Sequence, residues 1–211
     1  MDRSLLAVVI PAYNEGATIT AIVQAVIKYG IPIVVDDGSS DQTMQIAQSA
    51  GAEVVIHDIN LGYDAALNSG FVCAHNLGCN FALTMDADGQ HNPNLIPAFI
   101  NALDLGADAV IGVRDRKQRL AEYIFAIVSN LLWGVHDPLC GMKAYRMELH
   151  SLLGHFDAYG SVGTEMTIYA ARQQKTIVQI PVVTRDRKDA PRFGRILGSN
   201  LKILRALYYA F

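Results

Sequence analysis

The sequence predicts an α/β protein built on a Rossmann-like, doubly wound and mostly parallel sheet. Apolar runs of strand length alternate with segments of helical periodicity, and polar motifs follow directly after several of the runs. Alternation of this kind places helices on both faces of a parallel sheet. The chain has 211 residues, of which 51% are hydrophobic, and this fits one large domain with at most a short appendage.

The elements of the first half follow in a regular order. Residues 5–10 are all apolar, which is typical of a strand covered on both faces, and Pro11 is expected to end this strand. Residues 17–29 carry an apolar stripe at helical spacing, which Gly30 closes. The further predicted strands are residues 31–35, 53–56, 81–85 and 107–113. The further predicted helices are residues 41–50, 65–77 and 92–105.

The second half contains fewer clear elements. Residues 117–133 are expected to form a helix, and a further helix begins near Glu165. After Gly194 a final helix, residues 196–211, places apolar residues on one stripe with basic residues nearby. This pattern suits an interfacial helix on an anionic membrane, and it equally suits packing on the domain or on a second subunit.

Cysteine usage and hydropathy indicate the compartment. The three cysteines are odd in number and have neither CxxC spacing nor a nearby histidine cluster, which argues against a disulfide framework and a zinc site. The start of the sequence lacks the pattern of a signal peptide, and no apolar run reaches the roughly 18 residues of a membrane span. We therefore expect a cytoplasmic protein.

Charge is distributed unevenly along the chain. The formal net charge is −3, yet the residues from Arg172 onward hold nine Lys or Arg against two Asp, which leaves −10 on the preceding part. The basic tail can meet phosphates or an anionic membrane surface, or it can form a solvated face. We expect no nucleic-acid partner, and self-association stays open.

Polar motifs follow the first, second and fourth predicted strands. They are PAYNE at residues 11–15, DDGSSD at 36–41 and DADGQ at 86–90. In a doubly wound sheet, ligands bind beyond the carboxyl ends of the strands. Tyr13 can stack on a nucleobase, and Glu15 or Asp37 can accept hydrogen bonds from a base or ribose. The residue types at 36–39 are equally typical of a turn that caps the start of a helix, without any ligand.

The third motif predicts a divalent metal site. Side chains two residues apart lie on the same face of a strand, so Asp86 and Asp88 can point at one ion if the chain stays extended, and Gln90 continues the spacing. Mg²⁺ or Mn²⁺ prefers one or two carboxylates together with substrate phosphate oxygens. An isolated triplet of this kind is more often a solvated turn, so its neighbours carry the argument.

A glycine at the start of a predicted helix adds a phosphate-binding candidate. Gly62 leaves the backbone uncrowded at a helix N-terminus, where a pyrophosphate can approach, although it can also serve only as a turn residue. The segment is neither a P-loop nor a GxGxxG motif, so those nucleotide-binding classes are excluded.

Five motifs in sequence resemble those of glycosyltransferase family 2, and within it the polyprenyl-phosphate sugar transferases of the dolichyl-phosphate mannosyl or glucosyl type. They are PAYNE, VVDDGSSD, NLGYDAALNSG, DADGQH and DPLCGMKAYR, and the resemblance spans about residues 5–198. It implies a type A glycosyltransferase fold, a UDP- or GDP-linked sugar donor, a Mg²⁺ or Mn²⁺ cofactor and inversion by direct displacement.

The resemblance also implies the roles of individual residues in a donor half, residues 1–115, of a catalytic domain at 1–195. Those expected to bind the nucleotide sugar are Pro11, Tyr13, Glu15, Asp37, Gly62 and Asp86. Asp86, Asp88 and Gln90 would hold the metal and, through it, the diphosphate, and Asp88 is counted as catalytic. In the basic tail, Arg187 and Arg192 are favoured as the arginines that fold over the diphosphate.

In the acceptor half, residues 116–195, the resemblance implies that Arg119 meets the acceptor phosphate, with Arg114 and Arg116 close enough to take its place. Residues 137–146 would shape the acceptor pocket, where Lys143 would contribute a further charge or be exposed, and Cys140 would be a small packed residue. Glu165 would be a base or a positioning group, or else a helix-capping carboxylate.

The acceptor itself stays open at this point. A polyprenyl phosphate is favoured, and a saccharide hydroxyl in cell-envelope glycan synthesis is the alternative. A catalytically silent module that binds nucleotide sugars is the second alternative, which the intact Asp37, Asp86 and Asp88 argue against. The Q-x-x-R-W motif of processive synthases is missing, so chain elongation is not expected.

Overall fold

The computed structural model describes residues 6–184 and 196–211, which contain one seven-stranded sheet. The order of the strands across the sheet is β3-β2-β1-β4-β6-β5-β7. The strands are β1 Leu6–Ala12, β2 Ile31–Asp37, β3 Glu53–His57, β4 Phe81–Thr84, β5 Ala109–Arg114, β6 Lys143–Arg146 and β7 Ile177–Val182.

Helices cover both faces of this sheet. They are α1 Ile19–Val26, α2 Thr43–Ser49, α3 Tyr63–Asn76, α4 Ile96–Asp104, α5 Leu120–Trp133, α6 Met147–Leu153, α7 Glu165–Arg172 and α8 Ile196–Tyr209. Alternate residues of β1 enter the two main apolar cores: Val8 and Ile10 lie in one, and Ala7 and Val9 lie in the other. The predicted two-sided burial of this strand is therefore confirmed.

Strand pairing confirms the predicted doubly wound, mostly parallel sheet. β1 pairs in parallel with β2 and β4, β2 with β3, and β5 with β7. The exception is β6, which runs antiparallel to both β4 and β5. This strand was not predicted, nor were α6 and β7. At four residues β6 is too short to show a clear period.

Several boundaries differ from the predicted ones. β1 continues through Pro11 to Ala12, where we expected Pro11 to end it. The nitrogen of Pro11 faces the side on which β4 has already ended, because the ladder with β4 stops at Val9 and Thr84, so no hydrogen bond is lost there. α5 begins at Leu120, three residues later than expected.

The final helix packs on the domain. Ile203, Ala206 and Leu207 of α8 form a third apolar core with Ala121 and Phe125 of α5. α8 therefore has one face held against the protein, which is one of the three arrangements left open by its sequence. No helix within residues 6–184 and 196–211 is long and apolar enough to cross a bilayer.

We predict that Gly70→Ala lowers the free energy of unfolding by about 1–3 kcal/mol. Gly70 is where α3 comes closest to the sheet, since an ideal Cβ there would lie 2.2 Å from Val9 Cγ1 and 3.2 Å from Val35 Cγ2. Urea denaturation followed by circular dichroism measures the change.

Gly198→Ala is the matched control. Nothing lies within 4 Å of a Cβ built on Gly198 in α8, so alanine there should stabilise the helix by about 0.5–1 kcal/mol. A Gly70→Ala variant as stable as the Gly198→Ala variant would contradict the close packing of α3.

Candidate active site

A cavity of about 680 Å³ opens at the carboxyl ends of β1, β2 and β4. This is where a doubly wound sheet offers a ligand site. The cavity brings together most of the residues predicted from the motifs. Those lining it are Pro11, Tyr13, Glu15, Asp37, Gly62, Asp86, Asp88, Gln90 and Arg119.

The loops after β1 and β2 are joined by hydrogen bonds. Asn14, which has a left-handed φ of 55°, donates its N–H to Ser39 Oγ at 2.8 Å and accepts the Ser40 N–H on its Oδ1 at 2.8 Å. The Glu15 N–H is donated to Thr43 Oγ1 at 2.8 Å. The first two motifs therefore form one rigid end of the cavity.

Asp37 organises the neighbouring loop. Its Oδ1 lies 2.7 Å from His57 Nδ1 and accepts the Leu61 N–H at 2.9 Å, while its Oδ2 accepts the Gly62 N–H at 2.8 Å. His57 Nε2 in turn lies 2.9 Å from Ser69 Oγ. Asp37 thus fixes the backbone at Gly62, and a direct contact with a nucleoside remains a prediction.

The DADGQ motif is a turn and not an extended segment. β4 ends at Thr84, and Gly89 adopts a left-handed φ of 76°. The condition that we set for Asp86 and Asp88 to share a strand face is therefore not met. Both carboxylates nevertheless line the same cavity, and Asp88 Oδ1 accepts the Gln90 N–H at 3.0 Å.

Two side chains that the motifs did not single out hold Asp86. The Tyr63 hydroxyl donates to Asp86 Oδ1 at 3.3 Å, and His91 Nδ1 accepts the Asp86 backbone N–H at 3.3 Å. Burial, together with the negative charge of Asp86, raises the pKa of Tyr63 well above its usual value, so the phenol stays protonated and can donate. In the sequence, Tyr63 directly follows Gly62 and His91 directly follows Gln90. This adjacency to two predicted site residues is the signal from which both could have been predicted.

The loop before β6 approaches the DADGQ turn closely. The Thr84 hydroxyl donates to the Gly141 carbonyl at 2.7 Å. An ideal Cβ on Gly141 would lie 2.4 Å from Asp86 Oδ2 and 2.8 Å from His91 Cε1. Residue 141 is therefore a glycine because the carboxylate occupies the space of a side chain.

Three arginines, Arg114, Arg116 and Arg119, also line the cavity, and we call them the arginine wall. Arg114 is engaged by buried Asp137 through two bonds, from Nε to Oδ2 at 2.8 Å and from Nη2 to Oδ1 at 2.9 Å. Arg119 donates from Nη1 to Oε1 of buried Glu122 at 2.8 Å. Arg116 also lines the cavity and is highly exposed. The two bonds of Arg114 to Asp137 hold it more firmly than Arg119 is held by its bond to Glu122. Which of the three arginines meets an acceptor phosphate remains a prediction.

The structure does not bring Glu165 to the cavity, which corrects its expected part as a base. Its Oε1 lies 2.9 Å from His155 Nε2, and its Oε2 accepts the Ala158 N–H at 2.6 Å. The loop before α7 folds back on this carboxylate and occupies both oxygens, so Glu165 holds that loop. Arg187 and Arg192 lie outside the described residues.

Lys143 is neither exposed nor a cavity residue, which corrects both expectations for it. Its side chain is 3% exposed and donates from Nζ to the Gly163 carbonyl. Burial lowers the pKa of Lys143 to about 8, although the nearby Cys140 and Asp137 oppose this. Cys140 is packed as expected, and burial raises the pKa of its thiol to about 12.

The donor set of the cavity fits a hard divalent cation. In the part of the chain that the structure describes, no three His, Cys, Asp or Glu side chains converge to hold a metal between them. Asp86 and Asp88 line one cavity and supply carboxylate oxygens, which suit Mg²⁺ or Mn²⁺ when phosphate oxygens complete the coordination.

This sheet, with an antiparallel strand beside β4 and paired aspartates at its ligand edge, defines the class of type A glycosyltransferase folds. The family model of Glycosyl transferase family 2 matches residues 7–154. The chain belongs to glycosyltransferase family 2 and is a glycosyltransferase.

The names of two relatives within the family refer to a dolichyl phosphate and to a polyprenol monophosphomannose. The chain is 29% identical to the dolichyl-phosphate hexose transferase of Haloferax volcanii, over 92% of this chain and 88% of that protein. It is 28% identical to the polyprenol monophosphomannose synthase of Mycolicibacterium smegmatis, over 92% and 82% of the two.

A solved structure with bound ligands has the same fold. It is glucosyl-3-phosphoglycerate synthase from Mycobacterium tuberculosis in complex with Mn²⁺, UDP and glucosyl-3-phosphoglycerate. The TM-score is 0.79 and the identity 25%, over 97% of this chain and 79% of that chain.

A further carboxylate, Asp64, lies beside this site without having been predicted. It follows Tyr63 in the first turn of α3, and one of its oxygens, Oδ1, is buried without a hydrogen-bond partner. Burial and, to a smaller extent, the charge of Asp157 raise the pKa of Asp64 to about 6. The N–H groups of Gly163 and Val162 act in the opposite direction and lower this pKa.

We predict that Asp64 makes stability depend on pH. A folded-state pKa of about 6, above the ordinary 3.8, means that the folded protein binds the proton more tightly, so this contribution is present below about pH 4 and is lost as pH rises through 6. The difference in unfolding free energy, wild type minus Asp64→Asn, should therefore fall by up to about 3 kcal/mol as the pH rises from 4 to 7. Parallel curves for the two proteins between pH 4 and 7 would contradict this.

Proposed function

We propose that the protein is an inverting, metal-dependent hexosyltransferase that moves a sugar from a nucleoside diphosphate to a polyprenyl phosphate. The observation that carries this proposal is one cavity that is lined by Asp86 and Asp88 together with Tyr13, Arg116 and Arg119. The names of the relatives and the Mn²⁺–UDP complex of the structural neighbour support it.

The donor binds across the strand ends in this proposal. The exposed ring of Tyr13 stacks on the base, and the fixed backbone at Gly62 and the Glu15 side chain border the ribose and diphosphate. Asp86, Asp88 and Gln90 hold Mg²⁺ or Mn²⁺, which when bound offsets the negative charge that develops on the leaving diphosphate. UDP-linked and GDP-linked sugars both remain candidates.

The acceptor phosphate binds at the arginine wall. Arg119 and the exposed Arg116 attract a dianion and orient one of its oxygens toward the anomeric carbon, so that attack occurs opposite the leaving diphosphate and inverts the carbon. A phosphate monoester is already ionised near neutral pH and needs no general base. The position of Glu165 away from the cavity therefore agrees better with a phosphate acceptor than with a saccharide hydroxyl.

In this proposal, the lipid part of the acceptor contacts an apolar face of α5 and α8. This face consists of exposed side chains at helical spacing: Leu120, Ile124, Ile127 and Leu131 on α5, and Leu201, Leu204 and Tyr208 on α8. Arg116 and Lys117 precede α5 and line the cavity. Basic groups beside an exposed apolar face suit a membrane surface with anionic headgroups. We infer peripheral membrane contact on this basis.

We predict that Asp88→Ala loses the metal-dependent part of nucleotide binding. In thermal-shift assays with UDP or GDP, adding Mn²⁺ should raise the Tm of wild type further, because a ligand stabilises in proportion to the logarithm of its saturation. Affinity for the nucleotide with Mn²⁺ should fall at least about tenfold in the variant.

Glu53→Gln, an exposed carboxylate on the edge strand β3, is the control and should keep the full shift. An undiminished Mn²⁺-dependent shift in Asp88→Ala would remove Asp88 from the metal site. Absence of transfer from both UDP-glucose and GDP-mannose, with nucleotide binding retained, would favour the silent binding module.

We predict that Leu131→Glu weakens binding to phosphatidylglycerol vesicles about tenfold, because a buried leucine contributes about 1.5–3 kcal/mol. Co-sedimentation with the vesicles measures this. Leu105→Glu is the matched control, since Leu105, directly after α4, is 80% exposed and Leu131 is 78% exposed. Equal losses in the two variants, or no binding by wild type, would contradict the membrane face.

A further inference from the structure

Val162 lies in the cavity wall in a conformation that its side chain disfavours. Its φ is 57°, and Gly163 follows with a φ of 69°. Two consecutive left-handed residues reverse the chain sharply. Glycine adopts this region freely, but a β-branched residue does so only when its surroundings enforce it.

Two side chains from different elements, one buried and one partly buried, hold this turn. Lys143 of β6 donates from Nζ to the Gly163 carbonyl. The N–H groups of Val162 and Gly163 lower the pKa of the Asp64 carboxyl of α3, which places this carboxyl beside the same turn. The turn is therefore bonded to Lys143 and has Asp64 as a neighbour.

The turn connects the metal motif with the acceptor wall. An ideal Cβ on Gly163 would lie 3.4 Å from Tyr63 Cε1, and the Tyr63 hydroxyl donates to Asp86. On its other side, Val162 packs against the apolar core formed by α5 and α8. A shift at Val162 would therefore change the space between Asp86 and the arginine wall.

We propose that Lys143 and Asp64 are positioning residues that hold Val162 in its left-handed conformation and thereby place the acceptor phosphate against the donor. Neither residue lines the cavity, so both act through the turn at 162–163. This proposal rests on the proposed sugar-transfer function. It assigns a specific part to Lys143, which the motif left as a surface charge or a phosphate contact.

The first test is a double-mutant cycle with Mn²⁺, farnesyl phosphate as the acceptor and the better donor of UDP-glucose and GDP-mannose. Lys143→Met should raise the KM for farnesyl phosphate about tenfold while the KM for the donor stays within about twofold. In the V162G background, Lys143→Met should change the acceptor KM less than about twofold, because glycine needs no support at positive φ. Lys28→Met, an exposed lysine, is the control.

An equal effect of Lys143→Met in both backgrounds would overturn the proposal, and so would an equal rise in both KM values. Asp64→Asn serves as the second variant if Lys143→Met does not fold, and it should show the same dependence on Val162. No transfer from either donor would overturn the proposed function together with the acceptor role.

Hydrogen exchange tests the hold on the turn without relying on activity. Lys143 is bonded to the Gly163 carbonyl, and the Asp64 carboxyl lies beside the same turn, so a peptide covering residues 159–165 should exchange at least about tenfold faster in Lys143→Met and in Asp64→Asn than in wild type. A peptide covering residues 31–37 in β2 should be unchanged. Unaltered exchange at 159–165 in folded variants would overturn the proposal even if transfer is observed.

Discussion

Asp86 and the backbone of Gly141 approach so closely that no side chain fits between them, with an ideal Cβ on Gly141 lying 2.4 Å from Asp86 Oδ2. The antiparallel pairing of β6 with β4 produces this approach, because it returns residue 141 to the edge where β4 ends. The Thr84 hydroxyl fixes the distance through its bond to the Gly141 carbonyl. The second half of the chain is thereby joined directly to the proposed metal motif.

The two ends of the cavity are built by different means. The donor end is made of loops that bond to one another through short polar side chains such as Asn14 and Ser39, and it follows from parallel pairing alone. The acceptor end depends on buried charges. Asp137 holds Arg114, and this contact exists only once β6 has paired with β5 and brought the loop before it to the end of β5. Glu122 holds Arg119 locally, three residues along the chain. A single antiparallel strand, β6, therefore joins the loop that carries Gly141 and Asp137 to both β4 and β5.

The donor half could be predicted from the sequence because strand ends in a doubly wound sheet share one edge, which places Glu15, Asp37 and Asp88 together without further information. The acceptor half could not, since its side chains are distributed by tertiary contacts. Glu165 has the position of a base in the motif, yet His155 and the Ala158 amide occupy its oxygens. Lys143 was expected to be a phosphate contact or an exposed charge, because a four-residue strand leaves little periodic signal of its burial. Local turn geometry at Gly89 likewise overrode the extended arrangement expected of the aspartates.

The affinity of Gly141→Ala for UDP in the presence of Mn²⁺, measured by isothermal titration calorimetry, tests most directly whether the site depends on this approach. A methyl group at residue 141 must displace the Asp86 carboxylate or the His91 ring, so we predict a loss of at least about tenfold in affinity, with the circular dichroism spectrum unchanged. Gly198→Ala should bind as wild type does. An unchanged affinity in a folded Gly141→Ala variant would show that the position of Asp86 does not depend on Gly141, and would contradict this central claim.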